Sequence, residues 1–107
     1  MKKSILVDIP IITDYLKTGK GVLPAAYEQF SMNIASTTYS ELLASQTFTD
    51  PSLETEVKDF VKKYFSVIDI DSAIAMEAAV ILRSSDLTLA TALVAATAKV
   101  KNLEILT

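Results

Sequence analysis

Two residue types that carry much of protein chemistry are missing from this chain. Its 107 residues include no cysteine and no histidine, and only two glycines. Without cysteine there is no disulfide framework, no thiolate metal site and no cysteine nucleophile. Without histidine there is no Ser-His-Asp triad, no imidazole zinc site and no histidine general base. Any chemistry must therefore come from carboxylates, hydroxyls, lysines or a hard metal ion held by oxygen ligands.

Positive charge and long hydrophobic runs are scarce as well. The ten basic residues are outnumbered by 13 acids, which gives a net charge of −3 and excludes a basic protein that coats nucleic acid. The apolar start is interrupted by Asp8 and Pro10, too early for a signal peptide. The most apolar later stretch, residues 87–98, contains three threonines and is shorter than the roughly twenty residues of a membrane span. These features predict a cytoplasmic protein without membrane contact.

Apolar residues, by contrast, are abundant. They make up 50% of the chain against 21% charged residues, and the mean hydropathy is +0.36, which excludes intrinsic disorder. The length fits a single domain, residues 1–107. Because a small domain cannot bury so much apolar surface, we expect self-association, most simply as a homodimer. Exposed parts of the predicted helices 24–30 and 53–64 are the candidate surface.

The order of hydrophobic patterns predicts an α/β protein. Four short apolar runs are typical of buried strands, and they lie at residues 5–7, 33–36, 65–70 and 103–107. Between them lie helical patterns, with Thr37 or Thr38 as a cap of the third helix, a loop at residues 47–52, and Asp71 or Ser72 as a cap of the fifth helix. This alternation favours a three-layer sandwich in which helices flank a mainly parallel sheet of about four strands.

Two carboxylates fall where such a sheet binds ligands, at the carboxyl ends of its strands. Asp8 ends the first strand, and Glu41 lies about one turn into the helix after the second. Paired carboxylates suit Mg²⁺ or Mn²⁺, and two such ions can clamp both oxygens of a phosphodiester under hydrolysis. The simpler interpretation remains open: Asp8 as a helix cap and Glu41 as a solvated helix residue. The dispersed tyrosines, at positions 15, 27, 39 and 64, predict no stacking platform.

Several segments resemble the PIN-domain family, especially VapC-like toxins of toxin–antitoxin pairs. Residues 7–16, VDIPIITDYL, resemble the usual opening V-D-T-N-V-L-I-D-Y-L, and residues 36–43, STTYSELL, resemble the second motif with its acid in E-L. Residues 89–98, LATALVAATA, are similar to the helix L-x-D-A-L-I-A-A-T-A. Residues 65–71 and 103–107 are similar to the strands on either side of that region. The resemblance covers nearly the whole chain in the right order.

The resemblance implies a parallel-sheet fold and an ancestral activity. Active PIN domains are Mg²⁺- or Mn²⁺-dependent ribonucleases with three or four acids, and toxin members form homodimers that an antitoxin holds inactive. Asp8 and Glu41 match the first two acids, as catalytic residues and metal ligands. Thr91 stands where the third acid is expected, Pro10 replaces an asparagine, and the segment that usually closes the domain after the last strand is missing.

These departures predict a PIN-like domain with a degraded site. Because each lost carboxylate removes a ligand and a negative charge beside the ion, we expect weak binding of Mg²⁺ or Mn²⁺ and weak or absent cleavage of RNA. A non-catalytic interaction module that kept the fold and the dimer surface is the alternative. A flavodoxin-like phosphoacceptor domain is disfavoured, since it needs an acidic pair at the first strand end and a lysine at a later one.

Overall fold

A computed structural model describes residues 1–44 and 51–107, apart from the Pro51 side chain. The four strands of this part are β1 (Lys3–Val7), β2 (Phe30–Ala35), β3 (Ser66–Ile68) and β4 (Glu104–Leu106). The helices are α1 (Ile9–Thr18), α2 (Leu23–Gln29), α3 (Ser36–Ala44), α4 (Pro51–Tyr64), α5 (Ser72–Arg83) and α6 (Leu89–Lys101). The strands form one sheet in the order β3-β2-β1-β4, and every pair is parallel. The predicted fold class is confirmed.

Strand β1 lies inside the sheet and separates two cores. Ile5 and Val7 belong to one core and Leu6 to the other, as the alternation of side chains along a strand requires. All three are almost fully buried, which explains why the sequence shows a continuous apolar run instead of an alternating one. Helices on both faces of the sheet complete the three layers.

The first face carries large side chains from α1, α2 and α4. Its core includes Ile12, Leu23, Ile34, Leu42 and Val61, with aromatic rings packed against it. The opposite face is built from smaller residues of α5 and α6, where Ala96 and Ala98 pack beside Ile74 and Val94. The alanine-rich sequence of α6 allows this close packing. None of the described helices is both long and apolar enough to cross a bilayer.

Several helix ends follow their sequence signals. Asp71 caps α5 by accepting a hydrogen bond from the Ile74 amide at 2.9 Å. Helix α1 ends at Gly19, which has the left-handed φ of +69° that glycine tolerates best. Asn102 ends α6 in the same region, at φ +55°.

Other predicted boundaries were wrong. Ser36 is not a strand residue but opens α3, so Thr37 and Thr38 lie inside that helix and do not cap it. The loop expected at residues 47–52 lies partly outside the described residues, and its last two residues belong to α4. Strand β3 has only three residues, because Asp71 begins the cap of α5 soon after it. Phe30 is the first residue of β2, not the end of α2.

Candidate functional site

The carboxyl edge of the sheet is where β1 ends before Asp8 and where the helix that carries Glu41 begins. Asp8 follows β1 directly, and α3, which carries Glu41, begins immediately after β2. Thr107 follows β4, the other neighbour of β1. Since all four strands are parallel, these three elements begin or end at one edge, where parallel sheets bind ligands.

The Asp8 carboxylate is held by its own neighbours. It precedes α1, and its Oδ1 accepts a hydrogen bond from the Ile9 amide at 2.9 Å. Its Oδ2 accepts a long hydrogen bond of 3.4 Å from the Thr107 hydroxyl. The next two residues donate no backbone hydrogen bond to this carboxylate, because Pro10 has no N–H and the Ile11 amide donates to the Asp8 carbonyl. Asp8 is therefore a weak cap, with room on its carboxylate for another ligand.

Glu41 lies in α3 and is half-buried. One turn earlier, Thr38 is fully buried, and its hydroxyl has no hydrogen-bond partner among residues 1–44 and 51–107. The Thr37 hydroxyl is also buried and unpaired within the same ranges. Ser36, at the start of the helix, accepts a hydrogen bond from the Ile70 amide at 3.3 Å, which ties α3 to the end of β3. Glu41 thus projects from a helix whose first turn is rich in hydroxyl groups.

Thr91 occupies the first turn of α6, three residues after the capping residue Thr88. The Thr88 hydroxyl accepts from the Thr91 amide at 3.2 Å and donates to the Thr91 hydroxyl at 3.1 Å. Thr91 is exposed, and its neutral hydroxyl supplies no charge. The sequence predicts that it faces Asp8 and Glu41, and that remains a prediction.

The donor set at this edge is small. Across the described part of the chain, no group of three or more acidic, histidine or cysteine side chains could hold a metal ion. The two candidate carboxylates, Asp8 and Glu41, come from separate elements. Such a set fits a hard cation that keeps most of its water, because Mg²⁺ often binds through only one or two carboxylates. The convergence of Asp8 and Glu41 on one ion stays a prediction.

The sequence missed an aromatic pocket on the first face. Three of the dispersed tyrosines, Tyr15, Tyr27 and Tyr64, meet Phe60 around a cavity of about 270 Å³. Tyr15 stacks on Phe60 with centroids 5.8 Å apart, and Tyr27 meets Tyr64 edge-on at 4.8 Å. Only the Phe60–Tyr64 spacing was visible in the sequence, since the other contacts depend on how α1, α2 and α4 pack. Tyrosines that are dispersed in the sequence therefore lie together in the fold.

Comparison with known proteins supports the fold. No family model and no curated protein matches the sequence. Among solved structures, a chain of a toxin–antitoxin complex from Klebsiella pneumoniae superposes with a TM-score of 0.77 and 24% identity, over 96% of this chain and 84% of that one. A chain of VapBC2 from Rickettsia felis, bound to a DNA fragment from their promoter, superposes with a TM-score of 0.78 and 13% identity, over 97% of this chain and 86% of that one. A chain of DNA-bound VapBC from Salmonella typhimurium superposes with a TM-score of 0.78 and 17% identity, over 96% of this chain and 83% of that one.

The fold is PIN-like. Identities this low establish the architecture alone, but they do so over nearly the whole of this chain. The PIN-like fold places Asp8 and the helix that carries Glu41 at the ligand-binding edge of the sheet.

Proposed function

We propose that this chain is a PIN-like protein of the metal-dependent ribonuclease class of toxins, weak or inactive because its acidic site is incomplete. One observation carries the proposal. Asp8 follows β1 directly and α3, which carries Glu41, begins at the carboxyl end of β2, while the first turn of α6 carries the neutral Thr91, where the family resemblance leads us to expect a third acid. The similar complexes from K. pneumoniae, R. felis and S. typhimurium favour an antitoxin as the partner of this chain.

Asp8 and Glu41 would hold the Mg²⁺ or Mn²⁺ ion. When bound, such an ion polarises a phosphoryl oxygen of RNA and offsets its developing charge. Within the described residues, the Asp8 Oδ2 atom accepts only one long hydrogen bond, from Thr107. This oxygen can therefore accept a further hydrogen bond from a metal-bound water. Thr91 can hydrogen-bond such a water but adds no charge, and this limits the affinity of the site.

A substitution at Thr91 tests the proposal. Thr91→Asp adds a ligand and a negative charge, so we expect Mn²⁺ to bind at least about tenfold more tightly, as even supporting groups around a metal change affinity by 10- to 100-fold. Isothermal titration calorimetry of Mn²⁺ into both proteins gives the comparison. Thr91→Asn is the matched control, because asparagine has nearly the same shape as aspartate but carries no charge. Equal affinities for all three proteins would remove Thr91 from the site.

A non-catalytic interaction module is the second candidate. One observation favours it: within the described residues, no group of three or more acidic, histidine or cysteine side chains could hold a metal ion. In that case the Thr91→Asp protein binds Mn²⁺ no better than the parent. If the Thr91→Asp protein slowly cleaves single-stranded RNA in the presence of Mn²⁺ and the parent does not, the result favours the nuclease ancestry instead.

The homodimer expected from composition also remains a proposal. The most exposed large apolar side chains of the second face lie on or near α5 and α6: Met76 (66% exposed), Leu89 (61%), Val80 (46%) and Leu87 (42%). Helices α2 and α4 expose less, with Tyr27 and Leu53 near 42% and 43%. This distribution favours the α5 side over the predicted helices 24–30 and 53–64 as the surface where two copies meet.

A further inference from the structure

The first turn of α3 contains two hydroxyl groups whose role the fold does not explain. The Oγ1 atoms of Thr37 and Thr38 are out of contact with solvent, and neither has a hydrogen-bond partner among residues 1–44 and 51–107. A hydroxyl that leaves water without gaining a hydrogen bond lowers the stability of the protein. Because native structures contain few such groups, each of the two needs an explanation.

The two hydroxyls lie on different sides of α3. Residues four apart share one side of a helix, so Thr38 lies in line with Leu42. Both of these residues are fully buried, and Leu42 belongs to the core of the first face. Thr37 lies in line with Glu41 for the same reason. Thr38 is therefore a core residue, whereas Thr37 shares its side of the helix with a candidate metal ligand.

The packing of Tyr39 shows which way that side faces. Tyr39 and Val67 of β3 line a second cavity of about 390 Å³, so the Tyr39 side of α3 is turned towards β3. Glu41 follows Tyr39 by two residues, or about 200° of helix rotation, and therefore lies on the opposite side. Since β2 lies between β3 and β1, that opposite side is turned towards β1, whose end is followed by Asp8. The contact of α3 with α1, the helix that Asp8 precedes, agrees with this orientation.

Thr37 and Glu41 have complementary hydrogen-bonding needs. The Glu41 side chain is half-buried, and within the described part of the chain it has neither a hydrogen-bond donor nor a cation as a partner. The Thr37 hydroxyl is a donor that solvent does not reach. A side chain from the next turn can reach it, and Glu41 is the residue at that distance on the same side. The carboxylate lacks a donor, and the hydroxyl lacks an acceptor.

We propose that Thr37 is a positioning residue of the candidate metal site. Its hydroxyl donates a hydrogen bond to the Glu41 carboxylate when that carboxylate turns towards Asp8 to hold a divalent cation. A glutamate side chain loses much rotational freedom when it is fixed, and a hydrogen bond to a ligating carboxylate orients it for the metal. The inference rests on the proposed function, because it assigns Thr37 a role only if Glu41 is a ligand.

Calorimetric titration with Mn²⁺ tests the inference directly. Thr37→Val keeps the size of the side chain and removes its hydroxyl, and we expect it to lower the Mn²⁺ affinity at least about tenfold. Thr37→Ser keeps the hydroxyl and should bind Mn²⁺ nearly as well as the parent. Thr38→Val is the matched control, since it makes the same change at the adjacent buried hydroxyl on the core side of α3. All variants are also made in the Thr91→Asp protein, whose tighter binding makes the losses easier to measure.

Melting temperatures in metal-free buffer give a second readout that needs no ion. Removing a buried hydroxyl that hydrogen-bonds nothing relieves the cost of its burial. We therefore expect Thr37→Val to melt at a higher temperature than the parent, although it binds Mn²⁺ more weakly. A hydroxyl that only supports the fold predicts the reverse: Thr37→Val would melt at a lower temperature and bind Mn²⁺ as the parent does. That reverse result would overturn the inference.

The remaining outcomes separate this inference from the proposed function. Equal losses of Mn²⁺ affinity in Thr37→Val and Thr38→Val would show a general loosening of α3, and an equal loss in Thr37→Ser would assign the effect to packing; either result overturns the inference. Mn²⁺ binding that Glu41→Gln abolishes and Thr37→Val leaves unchanged refutes the role of Thr37 alone. If neither the parent nor the Thr91→Asp protein binds Mn²⁺, the metal site of the proposed function is refuted and the role of Thr37 with it.

Discussion

The two faces of the sheet are covered by helices that pack with side chains of different size. The α1, α2 and α4 side uses branched and aromatic residues, among them Ile12, Leu23 and Phe65, and leaves two cavities between them and the surface. The α5 and α6 side packs Ala98 against Leu6 of the sheet and Ala96 against Ile74 and Ala78 of α5. On this side an ion pair between Lys99 and the mostly buried Glu77, at 2.6 Å, joins the two helices.

This difference separates a face with concave pockets from a face with small, closely packed side chains. Large side chains that meet at irregular angles leave concave space, whereas small side chains let helix and sheet approach until little space remains. The first face therefore offers pockets for a ligand, and the second packs small side chains of α6 against the sheet and α5. Substitutions on each side test whether the two faces really differ in this way.

The largest effect is expected on the first face. Ile12 is fully buried in its core. Ile12→Ala removes three carbon atoms and leaves a cavity, and it should lower the free energy of unfolding by about 2–5 kcal/mol. Urea denaturation followed by circular dichroism measures the change. Met76→Ala on exposed α5 is the control, with an expected change within about 0.5 kcal/mol. A loss below about 1 kcal/mol for Ile12→Ala would mean that the existing cavities relax into the space.

An enlarged side chain is the matching test of the second face. Ala96 has no exposed surface and packs with Ile74 and Ala78. Ala96→Leu adds three carbons where little space exists, so we expect a loss of about 1–3 kcal/mol from overpacking. Ala79→Leu places the same residue on the exposed side of α5 and should leave stability nearly unchanged. If Ala96→Leu were neutral or stabilising, the second face would contain unfilled volume, and the contrast between the faces would fail.

Much of the fold was predictable because its signals are local. Continuous apolar runs identified the strands, and the alanine-rich repeat identified α6. Asp71 was expected as a cap, and its carboxylate does reach the amide three residues on. Boundaries were less accurate where two elements share residues: Ser36 has an apolar strand before it and a helix after it, and the α3 pattern begins earlier than its threonines suggested.

Of the candidate site, only the positions of its elements at one edge of the sheet were predictable. The parallel order of the strands brings Asp8 and the start of α3 to one edge, which the alternation of patterns already implied. The aromatic pocket was not predictable, because Tyr15, Tyr27 and Phe60 come from three helices whose packing no local pattern encodes.

The smallest expected effect compares two aspartates that each precede a helix. Asp71 satisfies the Ile74 amide, three residues on, as a good cap does, whereas Asp8 reaches only the adjacent Ile9 amide. In metal-free buffer Asp71→Ala should therefore cost about 1 kcal/mol of unfolding free energy. Asp8→Ala should cost less than about 0.5 kcal/mol. The exposed contact of Asp71 with Lys101, at 3.8 Å, adds little, and Asp71→Asn controls for it because asparagine caps equally well.

The same pair of variants then shows what Asp8 is for. If Asp8 holds a cation, millimolar Mn²⁺ raises the melting temperature of the parent protein and of Asp71→Ala, because a ligand that binds only the folded state stabilises it. The rise disappears in Asp8→Ala. Equal losses of stability in the two alanine variants without metal, and equal responses to Mn²⁺, would make Asp8 an ordinary helix cap. A small loss combined with a vanished metal response would mean that this carboxylate contributes to ligand binding and little to the fold.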